Sequence, residues 1–194
     1  MKLLLYGGTF DPPHQGHLNN LKAAIAAVQP DRVVVMPAGI PPHKAPSATP
    51  APLRLAMCRC FLPLHPQLAI SDWEIQRGGR NYTIDTVEML GRQYPGAQLF
   101  LCIGSDMLLT FREWRSWQRL LQTVTLVVQS RCPGDDAALA RAAASLEQDG
   151  GHILFAHAPA LELSSSQVRA GQAVWAQLPP EVRQVAEKHH LYGR

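Results

Sequence analysis

The segment Gly7-Gly8-Thr9-Phe10-Asp11-Pro12-Pro13-His14-Gln15-Gly16-His17-Leu18 joins paired glycines to two histidines three residues apart. A glycine-rich turn leading from a strand into a helix aims backbone N–H groups and the positive end of the helix at an anion, so this segment is built for phosphate. The string matches neither G-x-x-x-x-G-K-[ST] nor G-x-G-x-x-G, which removes the main support for an NTPase or a dinucleotide oxidoreductase. What remains distinctive is His14-x-Gly16-His17. Two imidazoles at this spacing at a helix opening share one face and can donate to one phosphate, and Gly16 leaves room for a substrate to approach the backbone. A histidine pair that only caps or packs the turn is the competing reading. A zinc site lacks a third ligand at recognisable spacing.

Three further groups can act on the same anion. Lys44 lies in a stretch where six of the sixteen positions from 37 to 52 are proline, a stiff loop able to hold an ammonium over a polyphosphate at small ordering cost. Ser164, Ser165 and Ser166 open a short helix, and Arg169 follows one turn on, within reach of a phosphate at that helix start; a plain N-cap with a surface arginine is the alternative. Asp106, after Gly104-Ser105, can bond a ribose or an adenine amino group, or cap the following turn. Trp114 and Trp117 stand at helical spacing, which by itself reads as core. His65, His152, His157, His189 and His190 have no such context and read as structural or exposed.

The elements that must position these residues follow from hydrophobic periodicity. Continuous apolar runs at Leu3–Tyr6, Val33–Met36, Leu68–Ser71, Leu99–Ile103, Val124–Val128 and Ile153–Ala156 predict buried parallel strands. Helices are expected from Leu18 to Val28, Leu53 to Leu62, Ile84 to about Tyr94 with Thr83 as N-cap, Asp135 to Leu146, Ser164 towards Arg169, and Pro180 to about His189. A long loop is expected from Pro37 to Pro52, and a turn at Arg131-Cys132-Pro133-Gly134. Strands alternating with helices make an α/β protein with a doubly wound, mostly parallel sheet covered by helices on both faces. In that architecture ligands bind at strand C-terminal ends. The motifs after Tyr6, Met36, Ile103 and Ala156 all fall at such ends, so residues far apart in sequence converge on one crevice.

Composition narrows the class further. Eighteen basic against fifteen acidic residues leave a net charge of +3, too small to argue for nucleic-acid or membrane-surface binding. Cys58, Cys60, Cys102 and Cys132 form no zinc-type pair and read as reduced thiols. The opening apolar run meets Gly7-Gly8 before a signal-like core is complete, and no run approaches a bilayer span, so a cytoplasmic protein is expected.

Taken together the motifs resemble the H-x-G-H nucleotidyltransferase superfamily, and the fuller set looks like the bacterial nicotinate-mononucleotide adenylyltransferases. Pro41-Pro42-His43-Lys44 resembles that family's basic loop and Arg54-Leu55-Ala56-Met57 its following helix. Asp72-Trp73-Glu74-Ile75-Gln76-Arg77 with Gly79, Tyr82-Thr83 and Asp85-Thr86 resembles its substrate-side segment. Gly104-Ser105-Asp106 with Trp114 resembles its middle block, Leu163-Ser164-Ser165-Ser166-Gln167-Val168-Arg169 its Ser-Ser-Thr-x-Ile-Arg block, and His190-Leu191-Tyr192 its ending. Asn81 stands where the family commonly has Ser, and Ser166 where it commonly has Thr.

The resemblance implies adenylyl transfer from ATP to nicotinate mononucleotide within one Rossmann-like domain, 1–194, whose C-terminal helical part, about 164–194, packs on it. It implies His14 and His17 as catalytic residues; Gly8, Thr9, Phe10, His17, Lys44, Gly104, Asp106, Ser165, Ser166 and Arg169 at ATP; and Thr9, Phe10, His14, Lys44, Tyr82, Thr83, Trp114 and Arg115 at the mononucleotide, with Trp114 stacked on the pyridine. Magnesium is expected as an ion carried mainly by the ATP phosphates, with no metal site of the protein's own. The expected partners are these small molecules, without nucleic acid or membrane; a homo-oligomer is compatible with the sequence. Nicotinamide mononucleotide or phosphopantetheine as acceptor, and a non-catalytic nucleotide-binding protein, are the alternatives. A class I aminoacyl-tRNA synthetase shares the histidine motif but is excluded by length.

Overall fold

The computed structural model describes residues 1–40, 47–129, 136–157, 161, 163–172 and 175–193. Six strands form one sheet: β1 Lys2–Gly8, β2 Arg32–Pro37, β3 Leu68–Ile70, β4 Gln98–Gly104, β5 Val124–Gln129 and β6 His152–Ala156. Their order is β3-β2-β1-β4-β5-β6, and every pairing is parallel. All six expected strands are present, each within two residues of the expected bounds.

The helices are α1 Gln15–Val28, α2 Ala51–Met57, α3 Trp73–Arg77, α4 Thr83–Gln93, α5 Ser105–Leu109, α6 Trp117–Thr123, α7 Asp136–Gln148, α8 Ser165–Arg169 and α9 Pro180–Lys188. Alternate strand residues feed opposite faces, which is why the strands read as unbroken apolar runs. Leu4, Tyr6, Val33, Val35, Phe100, Cys102 and Val127 join Leu21, Ala24 and Val28 of α1, Val168 of α8 and Val182 of α9 in one cluster. Leu3, Leu5, Val34, Leu99, Leu101, Leu126 and Val128 join Ile84, Val87 and Leu90 of α4, Leu120 and Leu121 of α6, and Leu139 of α7 in the other.

Several expected boundaries move. The single helix anticipated over 53–62 is α2 followed by a tighter 3-10 segment, Cys58–Leu64, containing Pro63, whose missing N–H cannot serve a regular α-turn. Thr83 is the first residue of α4 and Tyr82 is its N-cap. The proline-rich loop is shorter at both ends, because Pro37 closes β2 and Pro52 sits in the first turn of α2, where no N–H is needed. The short helices α3, α5 and α6 were not anticipated; five to seven residues carry too little periodicity to register. Residues 41–46, with Lys44, and the turn at 131–134, with Cys132, lie outside the described residues. Cys58, Cys60 and Cys102 are buried. Burial raises the Cys58 thiol pKa, and burial together with Glu181 pushes Cys60 up to about 12, so both stay protonated packing residues. Among the described residues no helix is long and apolar enough to cross a membrane.

Strand order reverses direction between β1 and β4, the switch point at which parallel α/β sheets open a crevice. The β1–β4 ladder ends at Tyr6 and Cys102, while β1 stays on β2 as far as Gly8–Pro37 and β4 stays on β5 as far as Gly104–Gln129. The two strands therefore part with their last two residues, Gly7-Gly8 and Ile103-Gly104, on either side of the gap.

Candidate functional site

The turn that leaves β1 is anchored by its own aromatic ring. Phe10 takes a left-handed backbone (φ 49°), and its side chain, 2% exposed, folds back among Tyr6, Phe61 and His17 with ring centroids 5.2–5.4 Å away. A Cβ at Gly8 would come within 2.8 Å of that ring, so glycine is required there by the packing of Phe10. Only the backbone of Phe10 is left to meet a ligand.

His14 is the N-cap of α1 and His17 its third residue. Their rings stack at 3.8 Å between centroids and 36° between planes. The His14 backbone N–H donates to His17 Nδ1 at 3.2 Å, which makes Nδ1 the acceptor and assigns the proton of the neutral ring to Nε2, as a donor. A Cβ on Gly16 would lie 3.0 Å from two atoms of the His14 ring. The room expected at Gly16 for a substrate is taken by that imidazole.

Contacts from distant parts of the chain hold the carbonyls of Thr9, Asp11 and Pro12. Arg54, only 2% exposed, donates from Nη1 to the Thr9 carbonyl at 2.8 Å, from Nε to Thr49 at 3.4 Å and from Nη2 to Gly39 at 3.5 Å. Arg169 donates from Nη1 to the Asp11 carbonyl at 2.6 Å and from Nη2 to Ser166 Oγ at 3.1 Å. Ser165 Oγ donates to the Pro12 carbonyl at 2.9 Å, and Ser164 caps α8 by accepting from the Gln167 N–H. Ser165 and Arg169 thus meet the histidine turn directly, and Ser166 meets it through Arg169, as expected from strand-end convergence.

The Asp11 carboxylate is buried and accepts from Ser47 Oγ and from the Tyr192 hydroxyl, each at 2.6 Å. Burial works to raise its pKa, but the hydrogen bonds from Ser47, Thr49 and Tyr192 and the charge of Arg169 outweigh it and hold the carboxyl below its ordinary value. Burial lowers the Arg54 pKa, with Asp11, Cys58 and Tyr192 opposing. Sequence reading gave Arg54, Asp11 and Tyr192 no role of their own; their partners include residues 36, 45 and 181 positions away, beyond any local pattern.

A second group gathers at the start of α4. The Arg115 guanidinium lies 4.6 Å over the Tyr82 ring, and Trp114 lies 5.3 Å from Phe111, with Tyr82 and Trp114 partly buried on the same cluster. Trp117 belongs to that cluster too, but Arg112 stands 4.8 Å over its ring. Thr83 opens α4, so its N–H is one of the first-turn donors that no intrahelical carbonyl serves. Buried Asn81 donates to the carbonyls of Glu74 and Gly79 and accepts from Arg77, a bracing role. Asp106 is exposed in α5, whose N-cap is Gly104, so the capping alternative does not describe it.

Gln129 was missed altogether. It closes β5 in register with Gly104 and Ala156, is fully buried, and neither its amide oxygen nor its nitrogen has a hydrogen-bond partner among the described residues. Nothing in a sequence reveals whether a buried amide is paired. Among the described residues no three His, Cys, Asp or Glu side chains group as a metal cage. His152, His157, His189 and His190 are exposed, and His65 is half-buried with Nδ1 accepting from the Gln67 N–H.

Comparison with known proteins agrees with this geometry. The cytidylyltransferase-like family model matches residues 5–171. A protein of Acidithiobacillus ferrooxidans named "Probable nicotinate-nucleotide adenylyltransferase" is 38% identical over 98% of this chain and 95% of its own. One of the same name from Neisseria meningitidis serogroup B is 36% identical over 100% and 99%. The nicotinic acid mononucleotide adenylyltransferase of Plasmodium falciparum, solved in complex with NaAD, shares the fold at TM-score 0.77 and 17% identity, covering 98% of this chain and 97% of that one. With a switch-point crevice, a histidine pair at its mouth and full-length relatives of one name, this chain belongs to the cytidylyltransferase-like family and, within it, to the nicotinate-nucleotide adenylyltransferases.

Proposed function

We propose that the protein transfers the adenylyl group of ATP to nicotinate mononucleotide. An oxygen of the mononucleotide's 5′-phosphate attacks the α-phosphorus in line, the bond from that phosphorus to the bridging oxygen breaks, and pyrophosphate leaves with its electron pair. The products are nicotinate adenine dinucleotide and pyrophosphate, with no covalent intermediate on the protein. The observation that carries this reading is the stacked His14–His17 pair at the N-terminus of α1, at the mouth of the β1–β4 crevice and within one contact network of Arg169. Such a reaction asks the protein for alignment and charge stabilisation, and fixed donors can supply both.

In this reading His14 and His17 donate to the reacting phosphates, and the backbone of Gly8, Thr9 and Phe10 lines their seat. Lys44 and Arg169 neutralise the triphosphate, with Ser165 and Ser166 beside it, and Gly104 and Asp106 flank the nucleoside at the end of β4. Tyr82, Thr83, Trp114 and Arg115 take the mononucleotide: Trp114 stacks on the pyridine, while the N–H groups of Thr83 and Arg115 meet its carboxylate. The cation over Tyr82 favours a negatively charged ring substituent at this end. Magnesium would come with ATP, held mainly by its phosphate oxygens, and would supply further neutralisation of the triphosphate charge. The enzyme acts as one domain in the cytoplasm, alone or as a homo-oligomer.

The test is pyrophosphate release from ATP and magnesium with nicotinate mononucleotide, nicotinamide mononucleotide and phosphopantetheine in parallel. The expected result is turnover with a preference for nicotinate over nicotinamide of about 10²-fold or more in kcat/KM, because a donor-rich site pairs poorly with an amide NH₂. Equal values would remove the nicotinate assignment, and release with none would leave a binding protein.

A further inference from the structure

The Asp11 carboxylate presents an electrostatic puzzle. Two guanidiniums, Arg54 and Arg169, are close enough to feel its charge, yet among the described residues neither forms an ion pair with it. Its oxygens are instead satisfied by neutral hydroxyls, Oδ2 by Ser47 and Oδ1 by Tyr192, each at 2.6 Å, with the Thr49 hydroxyl as a third donor to the carboxylate. The two arginines are likewise held by neutral acceptors: Arg54 by the carbonyls of Thr9, Gly39 and Thr49, and Arg169 by the Asp11 carbonyl and Ser166 Oγ.

The two cations differ in their freedom. Arg54 is buried and tied to three carbonyls, whereas Arg169 is exposed on α8 with its guanidinium already bonded to the main chain of Asp11 itself. If the Tyr192 hydroxyl were lost, the buried carboxylate would keep only the hydroxyls of Ser47 and Thr49, one donor fewer than it holds now, and Arg169 is the nearby cation free to swing to it. An arginine paired with a carboxylate has less charge to offer a phosphate.

We propose that Tyr192, with Ser47, is a positioning residue for ATP: its hydroxyl occupies the Asp11 carboxylate so that the Arg169 guanidinium stays unpaired and directed to the triphosphate. The C-terminal segment that bears Tyr192 thereby becomes part of the nucleotide site without touching substrate. The proposal rests on the reading of Arg169 as a triphosphate ligand, and its test separates the two.

Steady-state kinetics are measured for Arg169→Ala, Tyr192→Phe and Tyr192→Phe/Asp11→Asn, with thermal melts as a folding control. Tyr192→Phe is expected to raise the KM for ATP about 10-fold while kcat and the mononucleotide KM change less than about 3-fold. Adding Asp11→Asn, which removes the competing charge, is expected to bring that KM back to within about 3-fold of the parent; two purely structural lesions would compound. An unchanged KM for ATP in Tyr192→Phe, or a double variant worse than the single, overturns the proposal. A normal KM for ATP in Arg169→Ala overturns the underlying assignment instead. If Tyr192→Phe does not fold, Ser47→Ala uncovers the other carboxylate oxygen and is read in the same way.

Discussion

At the scale of single residues the proposed chemistry depends on how two imidazoles are oriented. The His14 backbone N–H fixes the tautomer of His17, and the missing Cβ of Gly16 lets the His14 ring lie against the helix start. A donor set in advance costs nothing to reorganise when charge develops on the phosphorane oxygens. His17→Ala is therefore expected to lower kcat by roughly 10²–10³-fold while the KM for ATP moves far less, measured by steady-state pyrophosphate release. Near-normal kcat in that variant would mean that the pair only packs the turn. The same scale shows where local reading stops: Phe10 stands inside the phosphate-type motif, yet its side chain serves the core, and only its backbone faces the crevice.

At the scale of elements, short helices with little stability of their own are braced from outside. Glu74 in α3 accepts from Thr86 of α4 at 2.6 Å and from the backbone of Gly39 beyond β2, tying the segment before Tyr82 to the sheet. Burial raises the Glu74 pKa above its ordinary value, against the hydrogen bonds from Thr86 and Gly39 and the charge of Arg77, with Asp85 adding to the rise. A carboxyl raised on folding binds more protons folded than unfolded, so stability falls as pH climbs from the unfolded value of 4.5 through the higher folded one. Glu74→Gln keeps an acceptor for Thr86 and Gly39 and is expected to flatten that decline. Melting temperatures from pH 4 to 7 are the measurement, and parallel curves for parent and variant would contradict it. Asp11 works in the opposite sense: its lowered pKa stabilises the fold above 3.8, and that contribution is lost as pH falls below this value.

At the scale of the whole molecule, the proposed ligand binding and folding share one network. Arg54, Ser165, Arg169 and Tyr192 come from α2, α8 and the C-terminal end, and all converge on residues 9–12. A nucleotide that engages this turn favours the folded state by mass action, about 2.7 kcal/mol at a hundredfold excess over Kd. Thermal melts with magnesium and ATP are expected to shift upward with the logarithm of ATP concentration, and Arg169→Ala should reduce the shift. A melting temperature indifferent to ATP would place the nucleotide elsewhere.

What the sequence determined by itself was local or patterned. The six apolar runs carry both residue parities into cores, so they read as buried parallel strands. The His14-x-Gly16-His17 turn and the Ser164 cap are signals within a few residues of chain, and both were legible. Tertiary structure decided what depends on contact between distant segments: the order that opens the crevice between β1 and β4, the four side chains that clamp the turn, and the burial of the Gln129 amide. The reason is physical. A backbone dihedral or a hydrophobic period is set by neighbours along the chain, whereas the partner of a carboxylate or a guanidinium is set by which surfaces the hydrophobic cores bring together.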